Sequence, residues 1–217
     1  MNPSSGLPLS MPAGDEARSH QRQRILDAIA ELVAKRGYAG TTIERIAKAA
    51  GVGMSTFHKH FHDKEECFLA AFDEAIDEAD RRATEASDAS GEEWADRIEA
   101  GLTALLEEIV ADPMRARMCL VESLAAGPKA VDRYELAIRR AVPILREGRQ
   151  LSSAGRKLPE ALEETMIGGI AWTVQQRLAT GDLAGLKQLM PQVLLIVLAP
   201  YLGGATAERT PQARIRS

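Results

Sequence analysis

Apolar residues along this chain of 217 amino acids recur at the three- and four-residue spacing of α-helices, and the alternation typical of β-strands is almost absent. Ala, Leu, Glu, Arg and Gln, which favour helices, dominate the composition. The first predicted helix runs from about His20 to Gly37 and places Ile25, Ile29 and Val33 on one face. The pattern predicts an all-α protein of about nine helices.

Residues 41–64 carry the clearest local pattern. Apolar positions beginning at Ile43 define one short helix, Gly51 suits the left-handed conformation that ends a helix, and a second helix is predicted from Met54 to about Phe61. The first helix of the chain should brace this pair. Two short helices joined at a glycine are the layout of a helix-turn-helix motif, whose second helix enters the major groove of DNA.

Capping residues support these helix boundaries. Thr41 or Thr42 is predicted to cap the first motif helix, and Asp63 with Glu66 has the spacing of a capping box at the start of a fourth helix. Lys64 lies in the first turn of that helix, where a positive charge opposes the helix dipole. We therefore expect Lys64 to meet a DNA phosphate at the helix N-terminus. The alternative is an ordinary solvated lysine.

The residues of the motif that face outward suit contact with DNA. No acidic residue lies between Arg45 and Asp63. Serine and threonine hydroxyls bond to base edges and phosphates, and lysine pairs with phosphates. The predicted DNA-binding residues are Thr42, Gly53, Met54, Ser55, Thr56, His58, Lys59, His60 and Lys64.

Over residues 22 to about 72 the sequence resembles the DNA-binding domain of TetR-family (tetracycline-repressor-like) transcription regulators. One position departs from that family: His58 stands where a phosphate-contacting tyrosine is usual, so a bond from its ring would depend on protonation. The resemblance rests on the order and spacing of Gly37-Tyr38, Thr41-Thr42, Ile46-Ala47, Ala50-Gly51-Val52, Phe57, His60-Phe61 and Lys64.

The resemblance implies an architecture for the whole chain. TetR-family proteins usually dimerise through their last two long helices and typically hold a small-molecule pocket among helices 4 to 8. Ligand entry then shifts the spacing of the two DNA-binding heads, which must lie about 34–36 Å apart to use both half-sites of a palindromic operator. Helix 4 is the expected physical link between the head and the C-terminal helices.

Six helices are predicted after the motif. Pro113 and Pro128 each open a helix, whereas Pro143 should kink or split the helix in which it lies. Asp182 is predicted to cap the last helix. The predicted ranges are about 64–86, 92–111, 113–127, 128–150, 159–180 and 183–202, with a loop at 151–157.

The last two helices carry more apolar surface than their neighbours in the chain can cover. The eighth has two apolar stripes, and the ninth is apolar almost all round from Met190 onward. A helix that is apolar on two sides is buried on two sides, which predicts a four-helix bundle with a second copy of the chain. Burial within one chain is the alternative. The predicted interface residues are Ile167, Ala171, Val174, Leu178, Leu194 and Val197.

A small-molecule site is expected among helices 4 to 8, where methionines would suit an adaptable apolar ligand. The alternative for each wall residue is an ordinary core position. Glu122 is predicted to be a polar anchor of the site, with a solvated or paired surface residue as the alternative. The predicted wall residues are Phe72, Ile98, Leu102, Met114, Met118, Tyr134, Ile138, Met166 and Ile170.

Composition limits the other possibilities. The net charge is −4, yet residues 18–66 hold nine Lys and Arg against six Asp and Glu, so a modestly basic module precedes an acidic body.

Two isolated cysteines and the lack of a signal sequence favour a reducing cytoplasm. The longest apolar run is too short to span a membrane. His58 and His62 lie four residues apart, as two zinc ligands on a helix can, but no third ligand with suitable spacing is evident, so no metal is predicted.

Taken together, these features predict a ligand-responsive DNA-binding regulator, most simply a repressor that a small molecule releases from its operator. No phosphate-binding loop, nucleophile elbow or catalytic triad is present, so neither an enzyme nor a cofactor is predicted. The alternative is a helical ligand-binding or interaction protein whose helix-turn-helix does not bind DNA. The predicted parts are a disordered arm (1–19), a helix-turn-helix domain (20–66), a helical ligand-binding and dimerisation domain (67–203) and a flexible tail (204–217).

Overall fold

The computed structural model describes residues 13–202, which form ten α-helices and no β-strand. The all-α fold predicted from the sequence is therefore confirmed. The helices are α1 (Ala13–Arg36), α2 (Ile43–Ala49), α3 (Met54–His60), α4 (Lys64–Ala89), α5 (Trp94–Ala111), α6 (Pro113–Leu120), α7 (Pro128–Arg139), α8 (Ala141–Arg146), α9 (Leu162–Thr180) and α10 (Leu183–Leu202).

The first helix begins earlier than the sequence pattern predicted. It starts at Ala13 rather than near His20, so residues 13–19 of the predicted disordered arm are helical. Two acidic residues lie in its first turn, where negative charge interacts favourably with the helix dipole. Residues 1–12 of the predicted arm, and the predicted tail at 204–217, lie outside the described residues.

Two predicted helices are divided in the structure. The predicted seventh helix is split, because α7 ends at Arg139 and α8 begins at Ala141. Pro143 has no N–H to give to the carbonyl of Arg139, and its ring crowds that carbonyl. The predicted sixth helix is also shorter than expected, since α6 ends at Leu120 and a 3-10 turn over Glu122–Ala125 follows.

Two hydrophobic cores hold the helices together. The first combines α1, α2 and α3 with parts of α4, α6 and α7, and Phe57 and Phe68 lie within it. The second combines mainly α5, α9 and α10, with Trp94 among its members. Leu120, at the end of α6, packs against both cores, and α4 also lies along α5. The first core continues along α4 past residue 66, where a domain boundary was predicted. That boundary stays a prediction.

The last helix combines a buried face with an outward apolar face. By length and composition alone α10 could cross a membrane, but the core helices of soluble proteins meet the same criteria. In this chain Val193, Leu194, Val197 and Leu198 are buried in the second core. Asp182 caps the helix as predicted, because its carboxylate accepts a hydrogen bond from the Gly185 N–H at 2.8 Å.

A fully buried carboxylate ties the C-terminal helices to one another. Glu163 of α9 is 0% exposed, and its two oxygens each accept a hydrogen bond of 2.7 Å from the guanidinium of Arg149. The Tyr201 hydroxyl donates to the same carboxylate at 2.8 Å. Arg149 also donates to the backbone carbonyls of Leu158 and Pro159. This cluster joins α9 to the end of α10 and to the segment that follows α8.

Trp94 of α5 packs beside this cluster. Its ring lies edge-on to Tyr201, with centroids 5.0 Å apart, and its Nε1 donates to the Ile144 carbonyl at 3.1 Å. Gly148 lies so close to the indole that a Cβ at that position would be 2.6 Å from the Cζ2 atom. A side chain at residue 148 would therefore require the Trp94 indole to move, at the point where α5, α8 and α10 meet.

The hydrogen bonds from Arg149 lower the pKa of Glu163 to about 2, from an ordinary value of 4.5. The unfolded chain therefore binds a proton at this carboxyl at higher pH than the folded chain does. The contribution of Glu163 to stability is complete above its unfolded pKa and is lost as the pH falls toward the folded pKa.

Replacing Glu163 by Gln should lower the free energy of unfolding at pH 7 by about 3 kcal/mol, because it leaves the Arg149 guanidinium without its anion. Urea unfolding of wild type and Glu163→Gln over a range of pH measures this difference. We expect the difference to shrink as the pH is lowered from 4.5 to about 2, where the wild-type carboxylate takes up its proton.

Glu164→Gln is a matched control for that measurement. Glu164 follows directly in α9 but is exposed, so its replacement should change the free energy of unfolding by less than about 0.5 kcal/mol. Equal unfolding midpoints for the two variants would contradict a stabilising role for the buried ion pair.

Candidate DNA-binding surface

The turn between α2 and α3 has the geometry predicted for a helix-turn-helix. Gly51 takes a left-handed conformation with φ of +64°, which glycine adopts without steric cost. The Val52 N–H donates to the Ala47 carbonyl at 2.9 Å and the Gly51 N–H donates to the Lys48 carbonyl at 3.2 Å. These bonds satisfy the last carbonyls of α2 and turn the chain toward α3.

Thr42, rather than Thr41, caps α2. The Thr42 hydroxyl accepts a hydrogen bond from the Arg45 N–H at 3.4 Å. Thr41 is buried, and its hydroxyl donates to the Gly37 carbonyl at 3.0 Å. Of the two predicted capping residues, one therefore begins the helix and the other closes the connection from α1.

The cap of α4 departs from a standard capping box in one bond. The Asp63 carboxylate accepts from the Glu66 N–H at 2.8 Å, as predicted, and this bond lowers the pKa of Asp63. The Glu66 carboxylate accepts from the N–H of His62 at 2.6 Å, whereas a capping box would return to the Asp63 N–H. The start of α4 is fixed by both bonds.

The third helix presents one side to the core and the other to solvent. Phe57 and Phe61 are buried, with ring centroids 5.9 Å apart. The exposed ring of His58, at the position usually held by tyrosine, lies edge-on to Phe57. Contact between DNA and the residues predicted to bind it stays a prediction. Thr42, Gly53, Met54, Ser55, His58 and Lys59 are exposed, and Thr56 and His60 are partly exposed.

Two arginines of α1 place positive charge beside α3, and neither was among the predicted DNA-binding residues. Burial lowers the pKa of His60, and the charges of Arg18, Arg22 and Lys59 lower it further. The Arg22 guanidinium lies 5.5 Å from the ring centroid of Phe61. Arg18 and Arg22 are four residues apart, a spacing that would have shown them on one helical face had α1 been predicted to start at Ala13.

The Lys64 side chain folds back onto the protein instead of extending into solvent. Its Nζ donates to the carbonyls of Tyr38 and Thr41 at 2.9 Å and 3.0 Å, and it lies 3.9 Å from the centroid of the Tyr38 ring. Burial lowers the pKa of Lys64. Two of its three donors are therefore satisfied inside the protein, and it ties the start of α4 to the connection between α1 and α2. A phosphate contact would use the remaining donor, and that contact stays a prediction.

Glu122, predicted to anchor a ligand, contacts the helix-turn-helix region instead. Its Oε2 accepts a hydrogen bond from the Tyr38 N–H at 3.3 Å. Its Oε1 lies 3.7 Å from Nη2 of Arg117. The carboxylate is therefore engaged on both sides by the protein.

Most of the other residues predicted to bind a ligand divide between the two cores. Met114 is exposed, and Ile138 is partly buried. The sequence placed these residues on inward helical faces but could not distinguish the core to which each belongs. Phe72, Met118 and Tyr134 pack in the first core, whereas Ile98, Leu102, Met166 and Ile170 pack in the second.

A cleft of about 350 Å³ lies beside α4 and α7, but its lining is mostly charged. Lys129 Nζ lies 2.7 Å from Glu65 Oε2, and Arg133 pairs with Asp73. Charged walls whose groups are already paired do not match the apolar site predicted from the sequence.

Most of the predicted dimer-interface residues are buried within the chain itself. Trp172, Leu195 and Ile196 are instead the exposed apolar residues of the last two helices, and Trp172 is 61% exposed. Periodicity identifies the apolar faces of a helix without showing which one meets the chain's own core, and the dimer interface stays a prediction. Val174, Leu178, Leu194 and Val197 belong to the second core, and Ile167 and Ala171 are partly buried.

Across residues 13–202 no group of three or more His, Cys, Asp or Glu side chains is placed to hold a metal ion. Cys67 and Cys119 are free and buried, and burial raises the pKa of each thiol to about 12. Thiols in this state are poor nucleophiles and poor metal ligands.

The helix-turn-helix region matches a known family. Residues 25–71 match the family described as "Bacterial regulatory proteins, tetR family". The HTH-type transcriptional repressor AcnR of Corynebacterium glutamicum is 33% identical over 107 residues, which are 49% of each chain. The chain therefore spans about half the length of the curated relatives it matches.

Solved structures share the fold over most of the chain. A TetR family transcription regulator from Marinobacter aquaeolei aligns with a TM-score of 0.68 and 21% identity, covering 86% of this chain and 97% of that one. The regulator FadR from Bacillus subtilis, solved in complex with stearoyl-CoA, aligns with a TM-score of 0.71 and 20% identity, covering 83% of this chain and 98% of that one. Residues 25–71 therefore carry the DNA-binding motif of the tetR family of bacterial regulatory proteins, on a fold that this chain shares with solved TetR-family regulators.

Proposed function

We propose that this protein is a cytoplasmic, dimeric transcriptional repressor that binds a palindromic operator and leaves it when a small molecule binds. The helix-turn-helix heads bind DNA, and the C-terminal helices dimerise and take up the effector. The protein catalyses no reaction in this proposal. The repressor AcnR, to which the chain is similar over 107 residues, supports repression as the direction of control.

The solvent-facing side of α3 carries the proposal. Burial of Phe57 and Phe61 holds the helix and leaves Ser55, His58 and Lys59 in solvent. No carboxylate from α3 or the turn before it would repel the DNA backbone. Short hydroxyl side chains reach base edges and lysine pairs with phosphate, which is the combination that a recognition helix offers to the major groove.

Dimerisation is supported by the outward apolar faces of α9 and α10. Trp172, Leu195 and Ile196 are exposed there. Gly168 and Gly169 of α9 are also exposed, and a Cβ at either position would meet no atom within 4 Å. Two copies of these helices, related by a two-fold axis, would cover the apolar face in a four-helix bundle.

The effector is proposed to bind at the boundary of the two cores, where Leu120 packs against both. The predicted wall residues divide between the cores, so a ligand that touches both groups must separate them. A ligand that prefers such a conformation lowers operator affinity by its differential affinity for the two states. Stearoyl-CoA is the first compound to test, because the Bacillus subtilis neighbour was solved with it.

A gel shift on DNA upstream of the protein's own gene, repeated at several salt concentrations, tests the proposed function. Binding should weaken steeply with added salt, because counterions are released from the phosphates. Lys59→Ala should weaken binding to all sequences and lower the salt slope by about 1 per subunit, without changing thermal stability. Ser55→Ala should instead change which operator sequence is preferred.

Two lysine variants separate DNA contact from structural support. Lys157→Ala removes an exposed charge outside the motif and should leave the salt slope unchanged. Lys64→Ala should lower both DNA affinity and thermal stability, because it removes the bonds from α4 to Tyr38 and Thr41. A folded dimer that ignores DNA at low ionic strength would instead favour a ligand-binding protein whose helix-turn-helix does not bind DNA.

Replacing Ile196, which is 52% exposed, by Glu should shift the protein from dimer to monomer, because the change places a charge in the proposed interface. Sedimentation velocity measures this shift, and circular dichroism checks that the fold is retained. Leu136→Glu makes the same change at a residue of α7 that is 59% exposed and lies outside the proposed interface, so that variant should remain dimeric. A monomeric wild type, or a dimeric Ile196→Glu variant, contradicts the proposed interface.

A further inference from the structure

The guanidinium of Arg117, in α6, bonds to the ends of two other helices. Its Nε donates to the Ala34 carbonyl at 3.0 Å, in the last turn of α1. Its Nη1 donates to the carbonyls of Leu178 and Ala179 at 2.9 Å and 3.1 Å, in the last turn of α9. Because α1 belongs to the first core and α9 to the second, this one side chain joins the two cores.

Helix ends explain why an arginine suits this position. The last carbonyls of a helix have no partners within it, and they carry the negative end of the helix dipole. A guanidinium places five N–H groups in a rigid plane and stays charged, so it can cap two helices that approach from different sides. A lysine ammonium is a point charge and lacks this span. The Arg117 side chain is 27% exposed, which limits competition from water.

Glu122 extends the connection into the helix-turn-helix region. Its carboxylate lies between Arg117 Nη2, at 3.7 Å, and the Tyr38 N–H, which donates to it at 3.3 Å. The carbonyl of the same residue, Tyr38, accepts from Lys64 Nζ at 2.9 Å. Lys64 is the first residue of α4, directly after the short segment that follows α3. Polar contacts therefore run without a break from the end of α9 to the segment that holds α3.

We propose that Arg117 and Glu122 are positioning residues that fix the orientation of each DNA-binding head, meaning α1, α2 and α3, relative to α9 and α10. The inference rests on the proposed function, in which α9 and α10 form the dimer. In such a dimer the orientation of each head sets the distance between the two α3 helices, and this distance selects the spacing of the half-sites. Arg117 touches no DNA in this proposal and acts only through the head.

The orientation of the head can be measured without DNA. Cysteines introduced at Ala49 in α2 and Glu107 in α5, both exposed, would take spin labels, while the buried Cys67 and Cys119 would stay unlabelled. Labelled protein diluted into unlabelled protein reports the distance within one chain. Wild type should give a narrow distance distribution. Arg117→Ala and Arg117→Lys should both broaden it, because lysine keeps the charge but cannot cap both helices.

A series of operators with different numbers of base pairs between the half-sites tests the consequence for DNA binding. Wild type should prefer one spacing. Both Arg117 variants should bind an isolated half-site as wild type does but lose about tenfold of the preference between spacings, a coupling in the range found between distant sites. If Arg117 only stabilised the fold, its replacement would weaken binding to the isolated half-site together with the preference between spacings.

Arg115→Ala is the matched control, since it removes the same charge from the same helix. The ion pairs of Arg115 are with Asp27, Glu74 and Asp112, so this variant should keep the narrow distribution and the spacing preference. A narrow distribution in both Arg117 variants, or equal broadening in Arg115→Ala, would overturn the inference. If wild type binds no DNA, the proposed function fails, whereas the distance measurement still decides whether Arg117 fixes the head.

Discussion

Burial of the first half of α4 is the constraint on which the arrangement of the molecule depends. Phe68 and Phe72 lie in the core of the helix-turn-helix region, and the same helix continues along α5 toward the second core. The hydrogen bond that the Asp63 carboxylate accepts and the one that Lys64 donates fix its first turn. Because a packed helix moves as a unit, a rotation of the head displaces α4 and disturbs its contact with α5. Apolar packing along α4 thus connects the helix-turn-helix region to α5, in addition to the hydrogen bonds of Arg117.

Features that depend on neighbouring residues in the chain could be predicted from the sequence. The left-handed turn at Gly51, the cap at Asp63 and the split at Pro143 each follow from the stereochemistry of one residue and its adjacent backbone. The inward pair Phe57 and Phe61 follows from helical periodicity. These signals were enough to predict the helix-turn-helix and the all-α class, because both are built from short-range patterns.

Features that depend on contacts between distant segments could not be predicted in this way. Lys64 was assigned to a DNA phosphate and Glu122 to a ligand, but both also contact backbone groups of Tyr38, and nothing in the local sequence indicates that approach. One apolar stripe of α9 was assigned to a ligand site and the other to a dimer interface, but only packing against α6 and α10 shows that Val174 faces inward and Trp172 outward. Periodicity gives the faces of a helix, whereas tertiary structure decides what each face meets.

The seven residues of α3 are too few for a stable isolated helix. The helix is maintained by the packing of Phe57, and of Phe61 directly after it, in the first core. Its outward side chains then contribute little to whether the chain folds. Under the proposed function, substitutions at Ser55, His58 or Lys59 alter the bound DNA sequence while leaving the scaffold intact. In this arrangement, evolution can retarget a repressor to a new promoter through a few surface changes, with folding left under separate selection.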